Sequence, residues 1–306
     1  MAGFGSIGLA LLYGSLAASP FAILLFRPRV MGGGFFGNVW RMFTDYWLHF
    51  FLFAIIYWQK NFVDTLNDPI RGVFGDFTWL IYAIEGDAVL WIQNTFEHPV
   101  LTTVLNFNYL FAYIFLNYFS VILAAYADDR ELANKLALNY FVIYLLSVPF
   151  YIFFNVQITA DYIPGLRALL YHSGPSYFTF FTAADPLDNA WPSLHMGIPY
   201  GLFLLMFWTM RRRGHTLRSW NYGPYLWVII VELFVFAFSI LYLGIHWITD
   251  IPGGLLIGLL GAVITEEIHT RFFDAGYGAA RRIGSPFARL KERLWPARPH
   301  PVETRE

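Results

Sequence analysis

Cysteine is absent from this 306-residue chain, so neither disulfides nor thiolate metal sites are available to it. Charge is scarce as well. Asp, Glu, Lys and Arg make up 13% of the residues, against about 25% in a typical soluble domain. Hydrophobic residues reach 57% and aromatics 20%, a composition that belongs in a membrane. A net charge of −1 gives no reason to expect nucleic acid. The first charge is Arg27, so the basic region that opens a cleavable signal peptide is missing. The first apolar stretch is therefore expected to be a retained helix. No internal repeat or low-complexity tract stands out.

Apolar runs near the spanning length of about 20 residues fall at about 4–26, 42–58, 102–126, 136–157, 194–210, 224–244 and 246–266. They predict an all-α integral membrane protein with seven spans. Basic residues collect in alternate connections: Arg27, Arg29 and Arg41; Arg130 and Lys135; Arg211, Arg212, Arg213 and Arg218; and a tail from Arg271 onward. All of these fall on one side, which the positive-inside tendency assigns to the cytoplasm. The stretch 72–98 mixes Trp79, Leu80, Ile84, Leu90 and Trp91 with Asp76, Glu85, Asp87 and Glu97, and is expected to lie along the outer interface. The organisation that follows is an N-terminal span and loop (1–41), a membrane core (42–270) and a basic cytoplasmic tail (271–306). Within the core, residues 158–192 form an outer loop.

Two short strings lie at the outer mouths of neighbouring apolar segments: Pro192-Ser193-Leu194-His195, and Tyr242 to Asp250 with His246. His246 and Asp250 are four apart, so in a helix they share one face, and Asp250 is expected about one turn inside the seventh span. A carboxylate on one imidazole nitrogen fixes the tautomer and leaves the other nitrogen a better nucleophile or base. A second histidine from another helix can then serve the leaving group. Phosphoryl transfer through a phosphohistidine needs this arrangement. An ionisable residue inside a span is costly to bury, which favours a functional reading of Asp250.

The strings Pro192–His195 and Tyr242–Gly254 resemble the second and third signatures of the type 2 phosphatidic acid phosphatase superfamily. Its members include lipid phosphatases, acid phosphatases, haloperoxidases and sphingolipid phosphotransferases. Within it they are most similar to the fungal inositol phosphorylceramide synthase branch, over roughly residues 100–265. The resemblance implies a six-helix core, here with one added N-terminal span and an interfacial helix. It implies His246 as nucleophile, Asp250 as its orienting carboxylate and His195 at the leaving oxygen. The family's first signature, Lys-x6-Arg-Pro, has no counterpart here, and Ile240 stands where an arginine precedes the third-signature histidine.

The missing cations need substitutes. Lys60, Arg71, His98, Arg167 and His172 lie on the inferred outer face, and Arg167 is preferred because it sits in the loop leading to His195. Ser193 begins a helix whose free N–H groups and positive dipole end suit a phosphate. Asp185 and Asp188 either contact a polar acceptor such as an inositol or shape a turn. Gly253, Gly254, Gly258 and Gly261 are read as sites of close helix approach. His49 is read as an interhelical histidine nearer the other face, and His215, His269 and His300 receive no role. No metal or cofactor is called for.

Three readings follow. The first is a membrane phosphotransferase moving a phosphorylated head group from a lipid donor to a lipid or polyol alcohol. The second is a lipid-phosphate phosphatase with water as acceptor. The third is a non-catalytic scaffold or transporter.

Overall fold

The computed structural model describes residues 4–26, 35–52, 55, 73–170 and 190–274. Among them the chain is helical with no strand beyond an isolated bridge between Asp76 and Asn155, and it is an all-α membrane fold. The helices are α1 (Phe4–Phe26), α2 (Phe35–Asp45), α3 (Thr78–Glu85), α4 (Ala88–Phe96), α5 (Pro99–Tyr126), α6 (Arg130–Phe153), α7 (Leu194–Arg212), α8 (Gly223–Tyr242) and α9 (Asp250–His269). A single turn at Thr159–Tyr162 lies between α6 and α7. By length and composition, α5, α6, α8 and α9 with its extension to Phe272 are each able to cross a membrane. The 19-residue α7 packs among them.

Local chemistry sets the helix ends. His98 and Pro99 open α5, with the His98 ring accepting from the Val100 amide at 3.3 Å. Asp129 caps α6 through the Leu132 amide at 3.1 Å. Proline fills the first turn of α8, where its missing N–H has no partner to lose. Arg211 and Arg212 close α7, where cations meet the negative end of the dipole.

Two expectations need correction. The second span expected at 42–58 is not one helix in its described part: α2 ends at Asp45, Tyr46 breaks it, and residues 47–52 resume. The 11 residues of α2 rise only about 16 Å, and its exposed Phe36, Trp40 and Phe43 share one face. The outer segment 72–98 is two short helices broken at Gly86, whose φ of +56° suits a residue without Cβ.

The core of the bundle is the contact between α7 and α9. A Cβ on Gly254 would run into the Ser193 carbonyl oxygen, one on Gly258 into that of Gly197, and one on Gly197 would lie 3.0 Å from the Gly254 oxygen. Glycine at these positions lets the two backbones touch. Gly261 meets Ile143 of α6 in the same way, and Gly253 makes room for the Trp191 ring.

One end of the bundle is tied by charge. Arg213 reaches both oxygens of Asp129 at 2.5 and 2.9 Å and Glu131 at 2.9 Å. Arg212 forks onto Glu266 at 2.7 and 3.0 Å. Lys135, almost wholly buried, bonds Glu131 at 2.6 Å and Glu266 at 3.2 Å, and Arg41 faces Asp128 at 3.4 Å. The basic connections near 41, 130 and 212 therefore share one end. His49 belongs there too, bonded to Asn134 at 2.7 Å. His195 and His246 lie at the other.

Candidate active site

The second string does not continue a helix. α8 stops at Tyr242, and the Ile240 carbonyl accepts the amides of Ile245 and His246 at 3.2 and 3.1 Å, closing the helix end. Gly244 turns the chain with φ +74°, and a Cβ there would collide with the Arg167 carbonyl. α9 begins only at Asp250. His246 thus sits in the connecting loop, and Asp250 stands at the helix mouth. This corrects the expectation of a shared helix face with Asp250 one turn inside.

The pair forms all the same. Asp250 Oδ2 is 2.9 Å from His246 Nδ1 and accepts the Trp247 amide at 2.8 Å. The carboxylate folds back over the start of its own helix, where the dipole favours negative charge. With Nδ1–H donated to Asp250, the lone pair of His246 lies on Nε2. Both side chains are buried.

The loop carrying His246 is clamped. Trp247 is fully buried and donates its indole N–H to the Gln157 carbonyl at 2.8 Å. Its ring meets Tyr82 and Tyr162 edge-on. Glu85, at the end of α3, accepts the amides of Ile248 at 2.7 Å and Thr249 at 2.6 Å. The segment ending α3 is thereby fastened to the loop that carries His246. Outside the spans, a hydrogen bond to Asp87 holds the Tyr82 phenol above its usual range.

His195 comes from the first turn of α7. Ser193 precedes that turn. Its carbonyl accepts Met196 and Gly197 at 3.3 and 3.0 Å, and its amide points to the Asp250 carbonyl at 3.4 Å. The two helix mouths are thus stitched together. The His195 ring centroid is 6.4 Å from that of His246, close enough for both to address one phosphoryl group. Its ring stacks on Tyr109 at 3.8 Å and lies tilted against Tyr113 at 3.9 Å. Two rings that near cannot share one face, so the imidazole is sandwiched. Tyr109 lies in a π-helical stretch of α5 (Asn108–Ala112), and Tyr113 follows it. Such a bulge inside a helix shifts the side-chain register and is frequent at functional sites.

Three buried oxygens beside the histidines have no hydrogen-bond partner: Ser193 Oγ, Thr249 Oγ1 and Asp250 Oδ1. Ser193 does not cap α7 with its side chain, so its hydroxyl remains available to an anion at the helix N-terminus.

The other expected ligands are divided. The Arg167 backbone is held beside the loop that carries His246. Its amide bonds Gln93 Oε1 at 3.0 Å, its carbonyl accepts Gln93 Nε2 at 2.8 Å, and the same amide group reaches the Tyr242 carbonyl at 3.1 Å. Its guanidinium, however, is 64% exposed and pairs with Glu97. His98 is occupied in capping α5. Asp185, Asp188, His172, Lys60 and Arg71 lie outside the described residues. Glu85, Gln93, Tyr109 and Tyr113 escaped the sequence reading. Glu85 and Gln93 sit in an amphipathic stretch that gave no hint of what they face. The tyrosines were lost among the many aromatics of the chain. Among the described residues, no three His, Asp or Glu side chains converge as a metal site.

Residues 132–274 match the family model of the PAP2 superfamily, an all-α membrane fold whose members are phosphatases or phosphotransferases acting on lipid phosphates. The matched region holds both histidines, Asp250, Ser193 and Arg167. No curated protein and no solved structure matches the chain.

Proposed function

We propose that this PAP2-type membrane enzyme is a phosphotransferase that works through a phosphohistidine on His246. The supporting observation is the pairing of His246 with Asp250 at 2.9 Å, with the His195 ring 6.4 Å away on a second helix mouth. His246 Nε2 attacks phosphorus of the lipid donor. The bond from phosphorus to the donor's glycerol oxygen breaks, and His195 gives that oxygen a proton. An alcohol then attacks the phosphohistidine, the P–N bond breaks, and His195 takes the alcohol's proton. Asp250 steadies the positive charge on His246 during both steps. The first turn of α7 at Ser193 receives the phosphate oxygens, and Arg167 is the leading side-chain cation.

The resemblance to the inositol phosphorylceramide synthase branch suggests inositol phosphate as the group moved, with Asp185 and Asp188 facing the inositol. Positive-inside reasoning puts the histidines on the extracytoplasmic or lumenal face. Reconstituted protein given phosphatidylinositol or phosphatidic acid labelled at phosphorus tests the reading. Label moving to a second lipid supports transfer, whereas inositol phosphate from phosphatidylinositol or free phosphate from phosphatidic acid would mean that water is the acceptor. Acid-labile label on His246 after rapid quenching is expected in both cases. Turnover without label on His246 would remove the phosphohistidine, and no turnover on any lipid would favour a scaffold.

A further inference from the structure

Beneath His195, between α5 and α6, lies a band of polar groups that the transfer chemistry does not use. Tyr113, one wall of the His195 sandwich, has Tyr140 and Tyr144 of α6 as its neighbours across the helix pair. The Tyr140 and Tyr144 rings meet edge-on at 5.1 Å. At the outer end of the band, Tyr151 donates to the Pro192 carbonyl at 3.2 Å. Four residues after Tyr113, so one turn deeper on the same helix face, comes Asn117. It is 3% exposed, and neither its amide nitrogen nor its amide oxygen has a partner. A buried carboxamide without partners is rare, because burial strips it of water and gives nothing back.

Tyr113, Tyr140 and Tyr144 are only half-buried. In a bundle that spans a membrane, half-buried groups on the flank of two packed helices face lipid and not bulk water. A ligand that enters there is membrane-borne. It also carries polar groups, since the carboxamide both donates and accepts and each phenol does the same.

We infer that this band binds the polar shoulder of a lipid alcohol. The alcohol enters between α5 and α6, rests its ester, amide or second hydroxyl on Asn117 and Tyr144, and presents its free hydroxyl to His195. The inference deepens the phosphotransfer reading and rests on it for the reaction step. In that step the lipid hydroxyl oxygen bonds to phosphorus, the P–N bond to His246 breaks, and the proton passes to His195. Water needs none of these contacts, so the band selects a lipid acceptor over hydrolysis.

The test compares the wild-type protein with Asn117→Leu and Tyr144→Phe in nanodiscs containing phosphatidic acid labelled at phosphorus and a diacylglycerol of different acyl chains, so that the transfer product is distinct from the donor. The ratio of phosphate label moved to diacylglycerol over label released to water is expected to fall at least tenfold in Asn117→Leu, and less in Tyr144→Phe. An unchanged ratio overturns the inference. A second measurement needs no turnover. Diacylglycerol bearing a diazirine is expected to crosslink to peptides from α5 and α6 around 113–144, with a several-fold lower yield in Asn117→Leu. Adducts confined to other helices, or an equal yield in the variant, overturn it. Crosslinking here in a protein that turns over no lipid phosphate would leave the lipid site standing and remove the phosphotransfer reading.

Discussion

Asp250 reaches back from the mouth of α9 to hold His246, its Oδ2 lying 2.9 Å from the ring Nδ1 and 2.8 Å from the Trp247 amide. The contact joins the helix to the loop before it. His246 is thus carried on a short segment fixed at both sides, by Gly244 packed under the Arg167 carbonyl and by Glu85 on the amides of Ile248 and Thr249.

His246→Ala is expected to leave a folded, membrane-inserted protein without turnover, since losing one member of such a constellation costs on the order of 10⁴-fold. Asp250→Asn is expected to be nearly as damaging. The amide can hold the ring but cannot stabilise its positive charge. Steady-state turnover of labelled phosphatidic acid, with thermal unfolding as the folding control, measures both. More than a tenth of normal activity in His246→Ala removes the phosphohistidine.

Orientation is testable without catalysis, because the chain has no cysteine of its own. His215 and Asn94 are both exposed and lie at opposite ends of the bundle. A cysteine at 215 is expected to react with an impermeant maleimide only from the cytoplasmic side, and one at 94 only from the other. Labelling of both from one side would overturn the proposed topology.

The motif residues were legible because their chemistry is local. His246 and Asp250 find each other across four residues whether or not a helix joins them, so the pairing was right while the helix was wrong. The break between the last two spans was placed at 244–246, but the last helix starts at Asp250, because Gly244 and the closure onto Ile240 leave 243–249 as a loop whose Ile245, Trp247 and Ile248 read like helix. The glycines of α9 were readable as close contacts, and their partners, Ser193 and Gly197, were not. Glu85 was invisible for the same reason. Its partners are backbone amides 163 and 164 residues away, and no side-chain pattern marks a backbone acceptor. The sandwich around His195 depends on a π-helical shift in α5 that the sequence does not announce.

Arg167 pairs with Glu97 at an exposed position, where an ion pair is worth about 0–1 kcal/mol. Turning the guanidinium onto a phosphate therefore costs little. A charge-assisted hydrogen bond to phosphate is worth about 1.5–3 kcal/mol, so Arg167→Ala is expected to lose roughly tenfold to a hundredfold in turnover. Arg167→Lys should recover part of it, because lysine cannot make the two-pronged contact. Glu97→Ala should lose nothing. Equal losses in the Glu97 and Arg167 alanine variants would make the pair structural and move the phosphate onto the first turn of α7.

Glu85 offers a way to perturb the loop without touching the reacting groups. Its two oxygens hold two successive amides at 2.7 and 2.6 Å, two residues from His246. Glu85→Ala frees both amides and slackens the segment that fixes the direction of Nε2. A misplaced nucleophile lowers the rate of the bound complex more than it lowers binding. The expected signature is a kcat loss of about tenfold to a hundredfold, from the roughly 1.5–3 kcal/mol of a charged hydrogen bond, with KM changed less than threefold. Glu85→Gln keeps one good acceptor and should restore most of kcat. Glu85→Asp, one methylene short, should not. A KM effect larger than the kcat effect would mean that the α3 end binds substrate, and equal rescue by Gln and Asp would mean that charge near the site matters and loop geometry does not.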